Sequence, residues 1–212
     1  MSPAREVSCP ACGAPVKFVS AASLLAVCGY CRATLLRRDL DVENVGRMAE
    51  LIADPTPLQL GAEGRYRTVH FAVVGRIQVE YQEGAWNEWH LVFDDGRSGW
   101  LGEAAGIYAV SFETRVAETL PPWENLHPGL AITLKGQKYE VSDVRTARVV
   151  GGEGELPFPI AGGYEARVAD CQTDTERFAT LDYSDDAPRV YLGEVVEFAA
   201  LDLQGLRRFE GW

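Results

Sequence analysis

Short apolar runs that alternate with polar positions extend along the chain from Tyr66 onward, and most of them stop at Gly or Asp. Aromatic and β-branched residues dominate these runs, which is the pattern of β-strands. The first runs cover residues 67–81, 86–94, 100–101 and 107–112, and Gly75 is expected to bend the longest of them. A series of this kind is typical of a small barrel or sandwich, so we expect a mainly β fold.

The β pattern occurs twice. Four residues recur at an offset of 68 positions: Leu58, Gly61, Phe71 and Val73 correspond to Leu126, Gly129, Tyr139 and Val141. Residues 100–103 also resemble residues 191–194 at an offset of 91, so the second copy needs an insertion, which we place within 151–163. We therefore expect two related antiparallel β units, built as small barrels or as a sandwich.

A helical period precedes the β region, in residues 39–57. Its apolar stripe consists of Val45, Met48, Ala49 and Ile52. Asp41, or alternatively Asp39, can cap the N-terminus, and Pro55 and Pro57 end the helix. We expect a short connecting helix that packs on the protein's own core, with docking to a partner as the alternative.

Charge is unevenly distributed along the 212 residues. The net charge is −11, but residues 1–40 carry a formal charge of +3 and the rest carry −14. This acidity disfavours general nucleic-acid binding and suits cations, basic peptides or polyamines as ligands. No run approaches the ~18 apolar residues of a membrane span, and residues 1–30 lack a signal-peptide pattern. We expect a soluble, cytoplasmic protein.

Four of the five cysteines form two matched pairs, Cys9 with Cys12 and Cys28 with Cys31, separated by 15 residues. This spacing is typical of four thiolates around one tetrahedral ion. We therefore expect a ribbon with a structural Zn²⁺ over residues 1–38. Iron is the main alternative ion. Disulfides need an oxidising compartment, and a redox motif expects one pair beside a βαβ unit, so we favour both less.

Two glycines support the metal site. Gly13 follows the first pair and Gly29 lies inside the second, where tight ligand turns often need a positive φ. Cys171, the fifth cysteine, is expected to be a half-buried free thiol and not a nucleophile.

A second candidate site is a cluster rich in tryptophan and carboxylates. Its members, which we consider as a ligand or partner face, are Trp86, Asn87, Glu88, Trp89, His90 and Asp94. Strand alternation places Trp86, Glu88 and His90 on one face, where an aromatic ring beside a carboxylate would suit an amine. The structural alternative is that the tryptophans are core residues and that the polar side chains cap turns.

Known enzyme motifs are missing from the sequence: it contains no GxSxG, no P-loop, no GxGxxG before a helix and no HExxH. Of the three histidines, only His90 has acidic neighbours. A hydrolase built on Glu88 or Asp94 stays open as an alternative, although no third catalytic partner is visible.

Taken together, these motifs resemble a bacterial family of unknown function. The resemblance is carried by the cysteine pairs and by the segments 55–61, 74–78, 86–89, 93–96 and 99–101. It implies a β-rich domain, often in tandem and often behind a zinc ribbon. It also implies genes beside polyamine aminopropyltransferase-like enzymes and small membrane proteins, hence an envelope-associated or polyamine-linked role. Because residues 177–180 replace the Trp-Asn-Glu-Trp element in the second unit, we expect a ligand site only in the first.

We therefore expect a non-enzymatic, zinc-binding interaction or adaptor protein that contacts another protein through residues 86–90. A sensor of a small amine or basic peptide at the same cluster is the first alternative. A cryptic hydrolase and a nucleic-acid adaptor that uses Arg32, Arg37 and Arg38 are the others. The expected order of domains is the ribbon at 1–38, the helix and Pro-rich stop at 39–57, β units at 58–118 and 126–212, and a linker at 119–125.

Overall fold

Strands account for nearly all of the regular structure. The computed structural model describes residues 5–21, 23–38, 41–82, 84–160 and 163–208, and in these ranges it has no α-helix. The N-terminal strands are β1 (Arg5–Ser8), β2 (Pro15–Phe18), β3 (Leu25–Val27), β4 (Ala33–Arg38) and β5 (Asp41–Arg47). The next five are β6 (Glu63–Tyr66), β7 (Val69–Tyr81), β8 (Gly84–Phe93), β9 (Ser98–Ala104) and β10 (Ile107–Glu113). The last five are β11 (Ala131–Leu134), β12 (Gln137–Leu156), β13 (Tyr164–Gln172), β14 (Arg177–Asp182) and β15 (Arg189–Val196).

Two 3-10 helices complete the description, at Trp123–Asn125 and Phe198–Leu201. Neither they nor any other helix within the described ranges has the length and apolar character needed to cross a membrane. The expectation of a mainly β fold is confirmed.

Eight antiparallel strands close into one barrel. Their order is β7-β8-β9-β10-β15-β14-β13-β12, and β12 pairs back onto β7 to close the ring. Each half of the β region supplies four of these strands. The two expected β units therefore share a single barrel and do not form one barrel each.

The two halves also have the same internal order, with β6 to β10 in one and β11 to β15 in the other. The Gly61 N–H donates to the Val73 carbonyl at 2.9 Å, and the Gly129 N–H donates to the Val141 carbonyl at 2.8 Å. Both glycines lie in the left-handed region, with φ of +82° and +88°. The residues that correspond at the offset of 68 positions thus make equivalent backbone hydrogen bonds in the two halves.

The predicted correspondence between residues 100–103 and residues 191–194 is wrong. Residues 100–103 lie in β9, whereas residues 191–194 lie in β15, which occupies the place of β10 in its half. By the same order, β14 corresponds to β9 and β13 corresponds to β8. The counterpart of the Trp-Asn-Glu-Trp element therefore lies in β13, and not at residues 177–180.

A bulge and several glycines allow the barrel to close. The register of β7 against β8 shifts between Val73 and Gly75, where the sequence predicts a bend. At the closure, Gly154 of β12 pairs with Gly75, and a Cβ on Gly75 would overlap the carbonyl of Glu155. The close approach of the two backbones therefore requires glycine.

The barrel interior and its outer layers have separate cores. One cluster contains Ile77, Val79, Trp100, Ala147 and Val149. Because it joins β7, β9 and β12, which are not all neighbours in the sheet, it fills the inside of the barrel. Two further clusters cover the outside, one on each half.

The predicted connecting helix is wrong over residues 41–57, whereas residues 39 and 40, with the alternative cap Asp39, lie outside the described residues. Residues 41–47 form β5, which pairs with β4, and no described part of 48–57 is helical. Only Met48 of the expected stripe reaches a core, since Val45 is 40% and Ile52 is 53% exposed. Backbone groups of this segment bond to the barrel instead, as when Ile52 N–H donates to Gln78 at 2.8 Å. A three-turn helix is marginal by itself, so these tertiary bonds decide the conformation.

The ribbon is joined to the barrel wall. β3 pairs with β12 from Val27 opposite Gly154 to Leu25 opposite Leu156. The buried Glu155 carboxylate accepts the backbone N–H groups of Val19 and Ser20. The sheet β5-β4-β3 is therefore a continuation of the barrel wall.

Candidate metal centre and the 86–94 region

The four paired cysteines form one cluster in the ribbon. The Sγ atoms of Cys9, Cys12, Cys28 and Cys31 all lie within 4.8 Å of one another. The Cys9–Cys31 and Cys12–Cys28 Sγ–Sγ distances are both 3.7 Å. Disulfide sulfurs are about 2.0 Å apart, so these separations exclude disulfide bonds. They match the edge of about 3.8 Å of a tetrahedron with metal–sulfur bonds of about 2.3 Å. The donor set therefore fits a metal ion.

Two turns of the same form present the thiols. Gly13 N–H donates to the Cys9 carbonyl at 2.8 Å, and Arg32 N–H donates to the Cys28 carbonyl at 2.9 Å. Gly13 and Arg32 have φ of 77° and 60°, so they hold the left-handed position of each turn. Gly29 does not have a positive φ, and the role that the sequence suggested for it falls to Arg32.

The Cys28 thiol is in an environment that favours its ionised form. Burial raises its pKa, but N–H groups of Cys31 and Tyr30 donate to the sulfur and bring the pKa to about 7. Thiolates are the species that bind metals, so these amide donors favour the form that coordinates an ion.

Cys171 has no part in this cluster. It is fully buried in the outer core of the second half, and burial raises its pKa to about 12. A thiol in that state is neither a ligand nor a nucleophile, so its role is packing.

The six candidates of the 86–94 region occupy three environments. Trp86, Glu88 and His90 share one face of β8, as alternation predicts, but this face points into the barrel and not to solvent. Asn87 and Trp89 lie on the opposite, outer face. Asp94 lies in the turn after β8, where its carboxylate is 3.4 Å from Nδ1 of His70.

Glu88 is half-buried, and its carboxyl group faces the interior of the barrel. Its Oε1 accepts a hydrogen bond of 2.8 Å from the Trp86 indole N–H. Burial raises the pKa of Glu88 to about 7, against the lowering effect of that bond, and the charge of Asp170 adds to the increase. Burial also raises the pKa of Asp170.

Arg145 supplies a cation to the same part of the interior. Its Cζ lies 5.3 Å from the ring centroid of Tyr81 and 5.8 Å from that of Trp86. Its Nη2 donates to Asp170 at 3.0 Å. The Trp86 ring, which the sequence suggests for an amine site, therefore already lies near a side-chain cation, and an external amine would have to compete with it.

Asn87 and Trp89 belong to a buried polar network. Arg76, only 3% exposed, donates to Asn87 Oδ1 at 2.7 Å and bonds to Asp54, and its Cζ lies 4.8 Å from the Trp89 ring. Glu103 accepts from Trp89 Nε1 at 3.0 Å and from Asn87 Nδ2 at 3.2 Å. The network fastens the segment that follows the ribbon to the barrel, which is a structural role.

His90 is fully buried and lies beside a cavity. Its Nδ1 is 2.9 Å from the Glu155 carbonyl oxygen, and its Nε2 is 2.7 Å from Ser98 Oγ. Burial lowers the pKa of His90 to about 4, with the bond to Glu155 opposing part of that shift. Ser98 also lines a cavity of about 450 Å³ between the ribbon and the barrel.

Sequence reasoning missed the partners that complete these environments, namely Ser98, Glu103, Arg145 and Asp170. Strand alternation after the turn at Gly96 could have placed Ser98 and Glu103 on opposite faces of β9. No local pattern brings Arg145 and Asp170 to Trp86 and Glu88, because barrel closure does so.

The fold and the cysteine cluster define a class of protein in which a four-cysteine ribbon is built onto the wall of an eight-stranded antiparallel barrel. A family model described as a domain of unknown function (DUF4178) matches residues 59–198, and the chain belongs to this family. The match covers both halves of the barrel and excludes the ribbon. Neither the curated proteins nor the solved structures include a match to this chain.

Proposed function

We propose that this protein is a zinc-binding interaction or adaptor protein in which the ion fixes the ribbon so that it presents a surface to another protein. The observation that carries the proposal is the tetrahedral spacing of four sulfurs in a ribbon bonded to the barrel through β3 and β12. Closed sites of four cysteines are typical of structural zinc. Iron is the alternative ion for the same donors.

The partner face that we propose is on the ribbon. Tyr30, between Cys28 and Cys31, is 77% exposed, and exposed aromatic residues often dominate protein interfaces. β5 pairs only with β4 among the described strands, so its other edge can accept a strand from a partner. Of the residues expected on the contact face, His90 is fully buried and Trp86 is partly buried against the barrel core, so we do not place the partner face there.

The setting of this protein is also part of the proposal. The shared strand order and the shared glycine hydrogen bonds support an origin of the two halves by duplication. The family resemblance supports a cytoplasmic role in a bacterial envelope-associated or polyamine-linked system. The acidic barrel disfavours nucleic acid as the partner.

A capture experiment with matched variants tests the interaction role. The metal-loaded full chain is cross-linked in lysate of its host, and captured proteins are quantified by mass spectrometry for the parent protein, Tyr30→Ser and Ile107→Ser. Ile107 is the control because it is 59% exposed but lies on the barrel. We expect a partner that the parent and Ile107→Ser retain and that Tyr30→Ser loses at least tenfold. Equal capture by all three, or purified protein without zinc or iron, would contradict the proposal.

A sensor of a small amine or basic peptide is the second candidate. The observation in its favour is the half-buried Glu88 carboxyl that faces the barrel interior and whose negative charge an entering cation would neutralise. If this function holds, millimolar spermidine raises the melting temperature of the parent protein and of Glu80→Gln, an exposed control, but not that of Glu88→Gln. No shift in the parent protein would sink this candidate.

A further inference from the structure

The two ring nitrogens of His90 have different partners, and these partners fix its tautomer. Nδ1 faces the backbone carbonyl of Glu155, which can only accept, so Nδ1 carries the hydrogen. Nε2 of the neutral ring is then an acceptor. Its contact of 2.7 Å with Ser98 Oγ is therefore a hydrogen bond that the serine hydroxyl donates. This is the arrangement of a serine nucleophile and its general base, with the carbonyl as the group that orients the base.

Strands hold all three groups in place. His90 on β8 pairs with Trp100 on β9, and Ser98 lies two residues before Trp100 on the same side of that strand. The His90 and Trp100 ring centroids are 5.2 Å apart, so the indole packs against the imidazole. The Glu155 carbonyl belongs to β12 next to the closure of the barrel. Sites built on strands are held more accurately than sites on loops.

The serine faces a space that a small molecule can enter. The cavity of about 450 Å³ is within the usual size range of ligand pockets. Its apolar wall consists of Leu24, Trp100, Phe158 and Tyr191 together with two prolines. Arg189 also lines it but is paired with Asp185, and Glu113 adds a negative charge. The wall therefore favours uncharged, apolar groups over anions.

We propose that Ser98 is a nucleophile that accepts an acyl or phosphonyl group from uncharged, apolar donors in this cavity, with His90 as its general base. The proposal goes beyond the interaction role and does not rest on it. Among the described ribbon residues, Leu24 alone lines the cavity.

Water is the one further reactant that the reaction with an acyl donor needs. With an activated ester, Ser98 Oγ bonds to the acyl carbon while its proton passes to His90 Nε2. The bond to the leaving oxygen then breaks, and the alkoxide takes that proton and departs as an alcohol. Water repeats the sequence on the acyl–serine, releasing the acid and regenerating Ser98. With a fluorophosphonate, the oxygen–phosphorus bond forms, fluoride leaves with the electron pair, and the proton is released to solvent.

The buried state of His90 predicts an unusual pH profile. A pKa of about 4 keeps Nε2 free to accept a proton down to pH 5. A base with the ordinary pKa of about 6.5 would instead lose about thirtyfold of the rate between pH 8 and pH 5. The same low pKa makes His90 a weak base, so we expect reaction with activated donors and not with ordinary esters.

Fluorophosphonate labelling of the metal-loaded full chain tests the proposal. Intact mass and peptide mapping should show one adduct, at Ser98. Ser98→Ala should abolish it, and His90→Gln should slow it at least a hundredfold, the usual contribution of a general base. Ser111→Ala is the matched control, because this serine lies close by, on β10 opposite Trp100, and its loss should change the rate less than twofold.

The pH profile keeps the test decisive even where His90→Gln does not fold, because it uses the parent protein. A labelling rate that stays within threefold between pH 8 and pH 5 supports the proposal. A thirtyfold fall over that range assigns the reaction to a base of ordinary pKa and overturns it. Absence of a Ser98 adduct, at a reagent concentration that labels a serine esterase completely, overturns it as well.

Discussion

The Arg32 guanidinium donates a hydrogen bond of 3.3 Å to the backbone carbonyl of Gly152. Arg32 directly follows the last cysteine of the metal cluster, and Gly152 lies where β12 closes the barrel against β7. The same side chain donates to the carbonyls of Met48 and Ala49. One arginine therefore ties together the metal turn, the segment after the ribbon and the barrel closure, so the stability of these three parts should be linked.

Arg32 also adopts the left-handed conformation in the second cysteine turn, with φ of 60°. Arg32→Ala keeps the backbone strain and loses the hydrogen bonds, so we expect it to lower the free energy of unfolding by about 2 to 4 kcal/mol. Arg32→Gly loses the same bonds but relieves the strain, and should be less destabilising by about 1 kcal/mol. Urea unfolding of the metal-loaded proteins measures both values. A glycine variant less stable than the alanine variant would contradict this account of the turn.

Removal of the metal should weaken the barrel as well as the ribbon. The β3–β12 pairing and the Glu155 bonds to Val19 and Ser20 join the two parts, so a ribbon without its ion withdraws these contacts. We expect a chelator to lower the melting temperature by about 10 °C or more, measured by near-ultraviolet circular dichroism of the barrel tryptophans.

The cysteine variants provide the control for that experiment. Metal analysis should find one ion per chain in the parent protein and in Cys171→Ala, and much less than one in Cys28→Ser. A melting temperature that does not respond to the chelator would show that the ribbon and the barrel are energetically independent.

Local sequence patterns were sufficient to predict the features that depend on residues only a few positions apart. Paired cysteines two residues apart meet in one cluster, because a single turn brings each pair together. Alternation predicts β8 and the shared face of Trp86, Glu88 and His90, because side chains of a strand point to opposite sides. The bend at Gly75 follows from the same local reasoning.

The features that the sequence predicted wrongly depend on pairing between segments that are distant in the chain. The apolar period at residues 39–57 fits a helix, but pairing with β4 and the bonds from Arg32 to Met48 and Ala49 hold that segment extended. The exposure of the 86–90 strand was misjudged for a similar reason. Whether its polar face meets solvent or a barrel interior depends on the closure of β12 against β7, between segments that lie more than 50 residues apart.

Gly75 is the position at which the closure is most sensitive to substitution. A Cβ there would overlap the carbonyl oxygen and carbon of Glu155, which belong to the backbone and cannot swing away. We expect Gly75→Ala to reduce the free energy of unfolding by about 3 kcal/mol or more. Gly29→Ala is the control, because a Cβ at Gly29 meets no atom within 4 Å. Equal stability of the two variants would mean that the strands do not cross this closely.

The interior of the barrel contains two groups whose effects on stability have opposite dependence on pH. The pKa of Glu88 is raised to about 7, so its contribution is fully present below its unfolded pKa of about 4.5 and is lost as pH rises to 7. The pKa of His90 is lowered to about 4, so its contribution is present above about 6.5 and is lost as pH falls toward 4. The two trends largely cancel in the parent protein.

The Glu88→Gln variant separates the pH trend of Glu88 from that of His90, because glutamine keeps an acceptor for the Trp86 indole and has no charge to bury. From the shift in pKa we expect the variant to be more stable than the parent by about 1 kcal/mol at pH 5 and by about 3 kcal/mol at pH 8. Urea unfolding at the two pH values gives this difference, in which the contributions of other groups cancel. Glu80→Gln, a change at an exposed carboxylate of β7, should differ from the parent by less than about 0.5 kcal/mol at both. A Glu88→Gln difference that does not grow with pH would mean that the carboxyl is hydrated and not enclosed by the barrel.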